Sequence, residues 1–213
     1  MVSSFAVPTL EEIRRALATR VPETVDPAGC ARAAVATVLH SASSGLEVLF
    51  IERAEHSGDP WSGHMAFPGG RQEPDERDPR GVAERETFEE VGLDLSGAEF
   101  LGRLGDLQGR RTAGVSALVI SGFVYHLAEV SPLRPNHEVN AAFWFPLEAL
   151  HERVRRVSYV LPVPGELAFP GIRVGEAEPH VVWGLTYRFL EVFFAAVGQP
   201  LPDRWGALQG FAP

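Results

Sequence analysis

Arg85-Glu86-Thr87-Phe88-Glu89-Glu90-Val91-Gly92 is a segment in which three glutamates lie close together. On an α-helix each residue advances by about 100°, so Glu86 and Glu90 would lie about 40° apart, with Glu89 about 60° to the other side of Glu86. Like charges this close repel one another and raise one another's pKa unless a cation lies between them. Since ligands that are all oxygen atoms are typical of Mg²⁺ or Mn²⁺ sites, the segment predicts that Glu86, Glu89 and Glu90 bind one of these metals.

Signals on both sides of the glutamates place them on a helix between two turns. Asp78-Pro79 supplies an N-cap and a proline at the first helical position, which predicts a helix from about residue 79 to 91. Gly92 is expected to end it in the left-handed conformation. Arg85 precedes Glu89 by four residues and is expected to hold that carboxylate by a charge-assisted hydrogen bond. Without these signals the glutamates would indicate only a solvated acidic helix face.

Candidate substrate contacts lie upstream and downstream of this helix. The glycines of Phe67-Pro68-Gly69-Gly70-Arg71 let the backbone come close to a ligand, so both are predicted to contact the substrate. Arg71 is a candidate phosphate ligand, with a solvated loop arginine as the alternative. Arg110 and Arg111 stand between two predicted strands, and they either bind phosphate or belong to a surface turn.

The same residues resemble a known family. Gly70-x5-Glu76-x8-Arg85-Glu86-x2-Glu89-Glu90-x-Gly92-Leu93 is similar to the box of the Nudix hydrolases, which cleave nucleoside diphosphates linked to another group. In the family pattern seven residues separate the first glutamate from the arginine; this chain has one more, so no role is assigned to Glu76. Thr87 replaces an aliphatic residue on the inner face of the helix. The resemblance implies an α+β fold, namely a Nudix-type α/β/α sandwich with a mixed central sheet and a loop–helix–loop metal site.

Two further segments narrow the resemblance to one branch. Trp61-Ser62-Gly63-His64-Met65-Ala66-Phe67-Pro68-Gly69-Gly70-Arg71 and Trp183-Gly184-Leu185-Thr186 are similar to segments of the coenzyme A pyrophosphatases. This implies hydrolysis of coenzyme A or its thioesters to 4′-phosphopantetheine and adenosine 3′,5′-bisphosphate. Asp59 stands where that branch has a base, and Leu49-Phe50-Ile51 where it has L-L-T. These departures favour the alternative, the same reaction on ADP-ribose, NADH or a dinucleoside polyphosphate.

The expected chemistry follows from the glutamates. Metal held by Glu86 and Glu90 would neutralise phosphoryl oxygens and lower the pKa of a water molecule. Glu89 is either a third ligand or the base that takes the proton, so Glu86 and Glu89 are the catalytic candidates. Glu138, which precedes a predicted strand, is another candidate base. A non-catalytic ligand-binding module is the remaining alternative, although such modules normally lose the glutamates that this chain keeps.

Composition indicates one soluble enzyme. The chain has 213 residues, of which 45% are hydrophobic, and this suffices for one substantial core. Its net charge of −9 argues against a nucleic-acid partner and leaves a small-molecule nucleoside diphosphate as the expected partner. The single cysteine, Cys30, excludes an internal disulfide and suits a reducing cytoplasm. Neither a membrane span nor an export signal is expected, and the oligomeric state, a homodimer included, is left open.

The order of predicted elements is consistent with a mixed sheet carrying helices. We predict an N-terminal helix and connector in residues 1–30, the Nudix domain in 31–198 and a loosely held tail in 199–213. The first helix begins with the capping box of Thr9-Leu10-Glu11-Glu12. Further predictions are strands over residues 31–39, 46–51, 100–107, 115–125 and 141–145, strand-like pieces over 157–182, an exposed loop over 57–70, and helices over 147–155 and 184–197.

Overall fold

Helices and strands were assigned in a computed structural model, which describes residues 7–26, 29–55, 62–109, 118–160, 167–175 and 180–203. The helices of these residues are α1 (Leu10–Thr19), α2 (Pro79–Val91) and α3 (Gly184–Ala196), with short 3₁₀ turns at Glu148–His151 and Arg153–Arg155. The strands are β1 (Ala31–Ala42), β2 (Gly45–Arg53), β3 (Met65–Ala66), β4 (Gly69–Arg71), β5 (Glu99–Gly109), β6 (Leu118–Leu127), β7 (Val139–Pro146), β8 (Arg156–Val160), β9 (Ala168–Arg173) and β10 (Val181–Val182).

Strand β1 is the centre of a seven-stranded mixed sheet. It runs parallel to β6 and antiparallel to β2 and β4, while β5 pairs with β6, and β3 and β7 pair with β2. Strands β1 and β2 pair only near the turn that joins them, from Leu39 opposite Val48 to Ala42 opposite Gly45. Farther from the turn, β3 pairs with β2 and β4 pairs with β1. The short strands therefore fill the gap where the two long ones diverge.

This arrangement corrects the exposed loop predicted over residues 57–70. Residues 65–71 lie inside the sheet, and Met65 and Phe67 are buried. The carbonyl of Pro68 accepts a hydrogen bond from the amide of Ala36 at 2.9 Å. The glycine and proline content suggested a loop because short strands of two or three residues carry no periodic pattern of their own. Residues 57–61 of that prediction lie outside the described residues.

Helices cover both faces of the large sheet. Helices α1 and α3 pack on one face and share a hydrophobic cluster with β1, whereas α2 packs on the opposite face in a second cluster. The first cluster includes Ile13, Leu17, Leu39, Phe189 and Phe193, and the second includes Val38, Val82, Ala83, Val91 and Tyr125. Strands β8, β9 and β10 form a separate antiparallel sheet. The predicted α/β/α sandwich with a mixed central sheet is confirmed.

Most predicted elements are confirmed within the described residues. The capping box of α1 forms, with the Thr9 hydroxyl accepting from the amide of Glu12 and the Glu12 carboxylate accepting from the amide of Thr9. The predicted strands correspond to β1, β2, β5, β6 and β7, although residues 115–117 lie outside the described ranges. None of the described helices is long and apolar enough to cross a lipid bilayer.

The helix predicted over residues 147–155 was wrong. Two 3₁₀ turns stand there, separated by Glu152 with an extended backbone (φ −62°, ψ 126°). The amide of Leu147 donates to the carbonyl of Leu46 in β2, and β8 begins at Arg156. The connection between the two sheets is therefore held by strand contacts at both ends, and these tertiary contacts override the local helix propensity.

The first described residues of the predicted tail pack against α3. Leu201 is buried in the same hydrophobic cluster as α1 and α3. The hydroxyl of Tyr187 donates to the carbonyl of Asp203 at 2.6 Å, and the amide of Gln199 donates to the carbonyl of Phe194. Residues 199–203 are thus held by the core, whereas residues 204–213 lie outside the described ranges.

A buried histidine makes the stability of this core depend on pH. Burial, with a smaller contribution from Arg156, lowers the pKa of His151 to about 4 from its usual 6.5, and its ring packs edge-on against Phe194. As the pH falls below 6.5, the ordinary pKa of histidine, residue His151 takes up a proton in the unfolded chain before it does so in the folded protein. The free energy of unfolding therefore decreases towards acidic pH. We expect the wild type to lose about 1–2 kcal/mol more unfolding free energy than His151→Leu between about pH 7 and 5. Urea unfolding of both proteins at each pH measures this, and equal losses would contradict it.

Candidate functional site

Helix α2 begins and ends as its sequence predicts. The Asp78 carboxylate accepts a hydrogen bond from the amide of Arg80 at 3.0 Å, and Pro79 occupies the first helical position. Gly92 closes the helix in the left-handed conformation, with φ 72°. The helix is therefore fixed at both ends.

The loop before β7 caps two carbonyls at the C-terminal end of α2. The amide of Arg134 donates to the carbonyl of Val91 at 2.8 Å, and the amide of Asn136 donates to the carbonyl of Glu90 at 2.9 Å. These contacts satisfy acceptors that a helix end leaves open. They also bring the loop that carries Glu138 next to the glutamates of α2.

The Gly69–Gly70 pair packs directly on the glutamates. The Gly69 amide donates to Oε2 of Glu90 at 2.8 Å. A Cβ built on Gly70 would lie 2.3 Å from Cδ of Glu86, and one built on Gly69 would lie 2.2 Å from the carbonyl oxygen of Ala34. Position 69 therefore needs glycine, because a Cβ there would meet the backbone of β1, whereas a Cβ at position 70 would displace the carboxylate of Glu86.

The three glutamates have different environments. Glu90 is 2% exposed, the side chain of Glu86 is 14% exposed and that of Glu89 is 52% exposed. Burial raises the pKa of Glu90 to about 8, with a further contribution from the negative charge of Glu86, although the Gly69 amide opposes the rise. Burial is also the largest cause that raises the pKa of Glu86. Two carboxyl groups are thus held where negative charge is costly unless a cation is present.

Arg85 connects the carboxylates of Glu86 and Glu89. Its Nη1 lies 3.0 Å from Oε2 of Glu89, which confirms the ion pair predicted from their spacing. Its Nη2 lies 3.0 Å from Oε1 of Glu86 and donates to the carbonyl of Arg71 at 3.2 Å. Hydrogen bonding to Glu76 is the largest cause that raises the pKa of the guanidinium, and Glu86 raises it further, although burial opposes the rise. The arginine therefore fixes the orientation of two glutamates and of the end of β4.

Glu76, to which the sequence assigned no role, is the main anchor of Arg85. Its carboxylate accepts from Nε at 2.8 Å and from Nη2 at 3.1 Å, a two-point contact typical of strong ion pairs. These hydrogen bonds, and a weaker one from the amide of Glu73, lower the pKa of Glu76. The extra residue before Arg85 is absorbed in the turn, so the glutamate still meets the arginine. Its alignment with the first glutamate of the resembled pattern was the signal available in the sequence.

We expect Glu76→Gln to lower kcat for diphosphate hydrolysis about tenfold, because a neutral amide cannot hold the guanidinium by two charge-assisted bonds. Glu73→Gln is the matched control, since Glu73 is exposed in the same turn and contacts Glu76 through its backbone amide and carbonyl. Steady-state kinetics at saturating substrate and metal measure the effect. Equal kcat values in the two variants would show that this ion pair does not orient the site.

Two further charged residues lie near the buried pair. The positive charge of Arg53, at the end of β2, lowers the pKa of Glu90, and the negative charge of Glu138 raises the pKa of both Glu86 and Glu90. The carbonyl of Glu138 accepts from the amide of Ala54, which holds its loop beside β2. The hydrogen bond between the end of β2 and this loop brings Arg53 and Glu138 to the same place. No spacing in the sequence predicts that Arg53 lies near the glutamates.

The donor set fits a divalent cation in chemistry, although its atoms are not arranged around one point. No group of three or more His, Cys, Asp or Glu side chains within the described ranges is placed to hold a metal. Glu86 and Glu89 instead contact Arg85. A bound cation would nevertheless stabilise the negative charges of Glu86 and Glu90, whose pKa values are raised without it. Carboxylate oxygens are typical ligands of Mg²⁺ and Mn²⁺.

The predicted substrate contacts have separate outcomes. Gly69 and Gly70 lie against the glutamates, as described above, and their contact with a substrate stays a prediction. Arg71 is exposed at the end of β4, so its predicted phosphate contact is sterically open and also stays a prediction. Arg110 and Arg111 lie outside the described residues.

The chain was compared with protein families and with known proteins. The family model described as "NUDIX domain" matches residues 31–161. An uncharacterized protein of Schizosaccharomyces pombe is 40% identical over 107 residues, which cover 48% of this chain and 32% of that protein. The mitochondrial coenzyme A diphosphatase NUDT8 of Mus musculus is 30% identical over 145 residues, covering 65% of each protein. The chain thus spans less than two thirds of the length of these relatives.

A solved structure agrees in fold. The MutT/nudix family protein from Enterococcus faecalis aligns with a TM-score of 0.55 at 19% identity, covering 90% of this chain and 70% of that one. At this identity the likeness concerns the fold alone. Together with the domain match and with the glutamates of α2 packed on the glycines of β4, it leads to one conclusion: the chain belongs to the Nudix hydrolase family.

Proposed function

We propose that the chain hydrolyses the diphosphate linkage of a nucleoside diphosphate joined to another group, in a reaction that needs Mg²⁺ or Mn²⁺. The observation that carries this proposal is the packing of Glu86 and Glu90 against Gly70 and Gly69, with both pKa values raised. Placing a buried and a largely buried carboxyl group beside a glycine backbone costs stability unless their negative charge is compensated. A divalent cation and a phosphorylated ligand supply that compensation.

The residues around the glutamates of α2 have different roles in the proposed reaction. Glu86 and Glu90, with Glu89, would hold the cation, which when bound supplies positive charge for the diphosphate and makes an attacking water more acidic. The backbone of β4 positions Glu86 and Glu90, and Arg85 keeps Glu86 and Glu89 oriented. Glu89, as the exposed carboxylate of the three, is either the remaining ligand or the group that accepts the proton.

Coenzyme A or a thioester of it is the substrate that we put first. It is supported by the sequence resemblance around Gly63–Arg71 and by the mouse relative, which is named as a coenzyme A diphosphatase. The alternative is another nucleoside diphosphate derivative, such as ADP-ribose, NADH or a dinucleoside polyphosphate. It is favoured by Asp59, which lies outside the described residues. A small-molecule partner and a cytoplasmic location remain part of the proposal.

A panel of substrates with Mg²⁺ or Mn²⁺ separates these alternatives. We expect coenzyme A or acetyl-coenzyme A to have the highest kcat/KM, with 4′-phosphopantetheine or its acyl form and adenosine 3′,5′-bisphosphate identified by mass. Faster cleavage of ADP-ribose, NADH or diadenosine polyphosphates would overturn the preference for coenzyme A but not the reaction class. Binding without cleavage of any compound would instead support a non-catalytic module.

A further inference from the structure

On the face of the sheet opposite α2, a serine, a histidine and a glutamate contact one another in succession. Oγ of Ser41 lies 2.8 Å from Nε2 of His126, and Nδ1 of His126 lies 3.8 Å from Oε2 of Glu99. Arg14 of α1 holds Glu99 through Nε at 2.6 Å and Nη2 at 2.9 Å. A hydroxyl, an imidazole and a carboxylate in this order resemble an activated serine nucleophile, with the carboxylate at ion-pair rather than hydrogen-bond distance from the ring.

The register of three adjacent strands builds this arrangement. β1, β6 and β5 are neighbours in the sheet, and each contributes one member. His126 is paired directly with Glu99 of β5 and with Leu39 of β1, so Ser41 is two residues farther along β1 on the same face. Side chains two residues apart on a strand point the same way. The set therefore rests on hydrogen-bonded strands rather than on a loop.

Each member has the state that the chemistry requires. Burial lowers the pKa of His126, and the charges of Arg14 and His40 lower it further, while Glu99 opposes this. The ring is therefore neutral near pH 7 and free to accept a proton. Hydrogen bonding by Arg14 lowers the pKa of Glu99, so the carboxylate is charged and favours the tautomer with the proton on Nδ1. That leaves the lone pair of Nε2 facing Ser41, which is exposed to solvent.

We propose that Ser41, His126 and Glu99 form a second reactive site, which takes activated carboxylic esters and is independent of the diphosphate site on α2. Oγ of Ser41 attacks the carbonyl carbon while its proton passes to Nε2 of His126. The ester C–O bond breaks, and the alcohol leaves with its electron pair and takes up that proton. Water then cleaves the acyl–serine bond by the same proton route, which returns the serine hydroxyl. Glu99 is a positioning residue that stabilises the charged ring.

A covalent probe tests this site on the full chain. Diisopropyl fluorophosphate, which loses fluoride as an Oγ–phosphorus bond forms, stands in for the ester and leaves a stable adduct that peptide mass spectrometry can locate. We expect Ser41 to be labelled at least about 10² times faster than Ser44, because base assistance contributes that much. Ser44 is the internal control, since it is exposed in the turn that follows β1. Chelation of metal with EDTA should leave the rate unchanged.

Variants separate an activated serine from a merely structural hydrogen bond. His126→Gln should abolish the fast labelling of Ser41, whereas Ser44→Ala should retain it, and Ser41→Ala should leave diphosphate hydrolysis unchanged. Should His126→Gln fail to fold, the pH profile of the wild type decides. With assistance by His126, the labelling rate does not change with pH above the pKa of that histidine. Without assistance, the labelling rate of a serine hydroxyl increases in proportion to the hydroxide concentration. Equal labelling of Ser41 and Ser44, fast labelling in His126→Gln, or a rate proportional to hydroxide would overturn the proposal.

Discussion

Replacing Glu86 with glutamine is expected to lower kcat for diphosphate hydrolysis by about 10²–10³, while the protein stays folded. The amide keeps the shape of the side chain but removes the charge that would hold the cation. Because burial and the charges of Glu89 and Glu138 already make that carboxylate unfavourable, its removal should leave the melting temperature unchanged or raise it. Loss of activity with retained stability is the signature of a residue that is kept for function.

Glu84→Gln is the matched control for this variant. Glu84 lies two residues earlier on α2, about 200° around the axis, and accepts hydrogen bonds from Tyr125 at 3.0 Å and Arg80 at 2.9 Å. Glutamine can accept both bonds, so the helix loses the same charge away from the site. Steady-state kinetics and thermal unfolding of the two variants make the comparison. A kcat of Glu86→Gln within about twofold of the control would remove Glu86 from the chemistry.

Replacing Gly70 with alanine is expected to lower kcat by about 10² or more with little change in stability. The added methyl group would lie 2.3 Å from Cδ and 2.4 Å from Oε2 of Glu86, so the carboxylate must move. Glutamate is a flexible side chain, and its end can swing away at small cost to the fold. The displaced oxygen atoms would then no longer lie beside Glu90, where a shared cation needs them.

Gly81→Ala provides the control for the glycine substitution. Gly81 lies on the same helix as Glu86, and a Cβ built on it meets no atom within 4 Å. We expect unchanged kcat and a gain in stability of about 0.5–1 kcal/mol, because alanine favours helix more than glycine does. If Gly70→Ala kept wild-type kcat, the close approach between β4 and α2 would have no catalytic consequence.

The parts of the site that depend on local sequence could be predicted. Asp78, Pro79 and Gly92 determine the ends of α2 by capping, and the spacing of Arg85 and Glu89 determines their ion pair, since each effect acts within one or two helical turns. The strand predicted over residues 31–39 is part of β1. The spacing of the three glutamates did not predict their different exposure, with Glu89 alone among them mainly exposed. Packing on β4 makes this difference.

Contacts between distant elements could not be predicted. Glu76 meets Arg85 because the turn before α2 absorbs an extra residue, and the sequence does not tell where in a turn that happens. Arg53 and Glu138 approach the site only through the pairing of β2 with its neighbours. Residues 65–71 became strands because β1 and β2 diverge, a property of sheet twist and register rather than of those residues.

Binding of Mn²⁺ to the protein in the presence of a phosphorylated ligand, followed by the electron paramagnetic resonance signal of unbound Mn²⁺, tests most directly whether Glu86 and Glu90 bind a cation. Wild-type protein with a phosphorylated ligand is predicted to remove Mn²⁺ from solution in a saturable way, while a Glu86→Gln/Glu90→Gln double variant, with its melting temperature maintained, removes none beyond the background of Glu84→Gln. Absence of uptake by the wild type, or equal uptake by the double variant, would contradict the account.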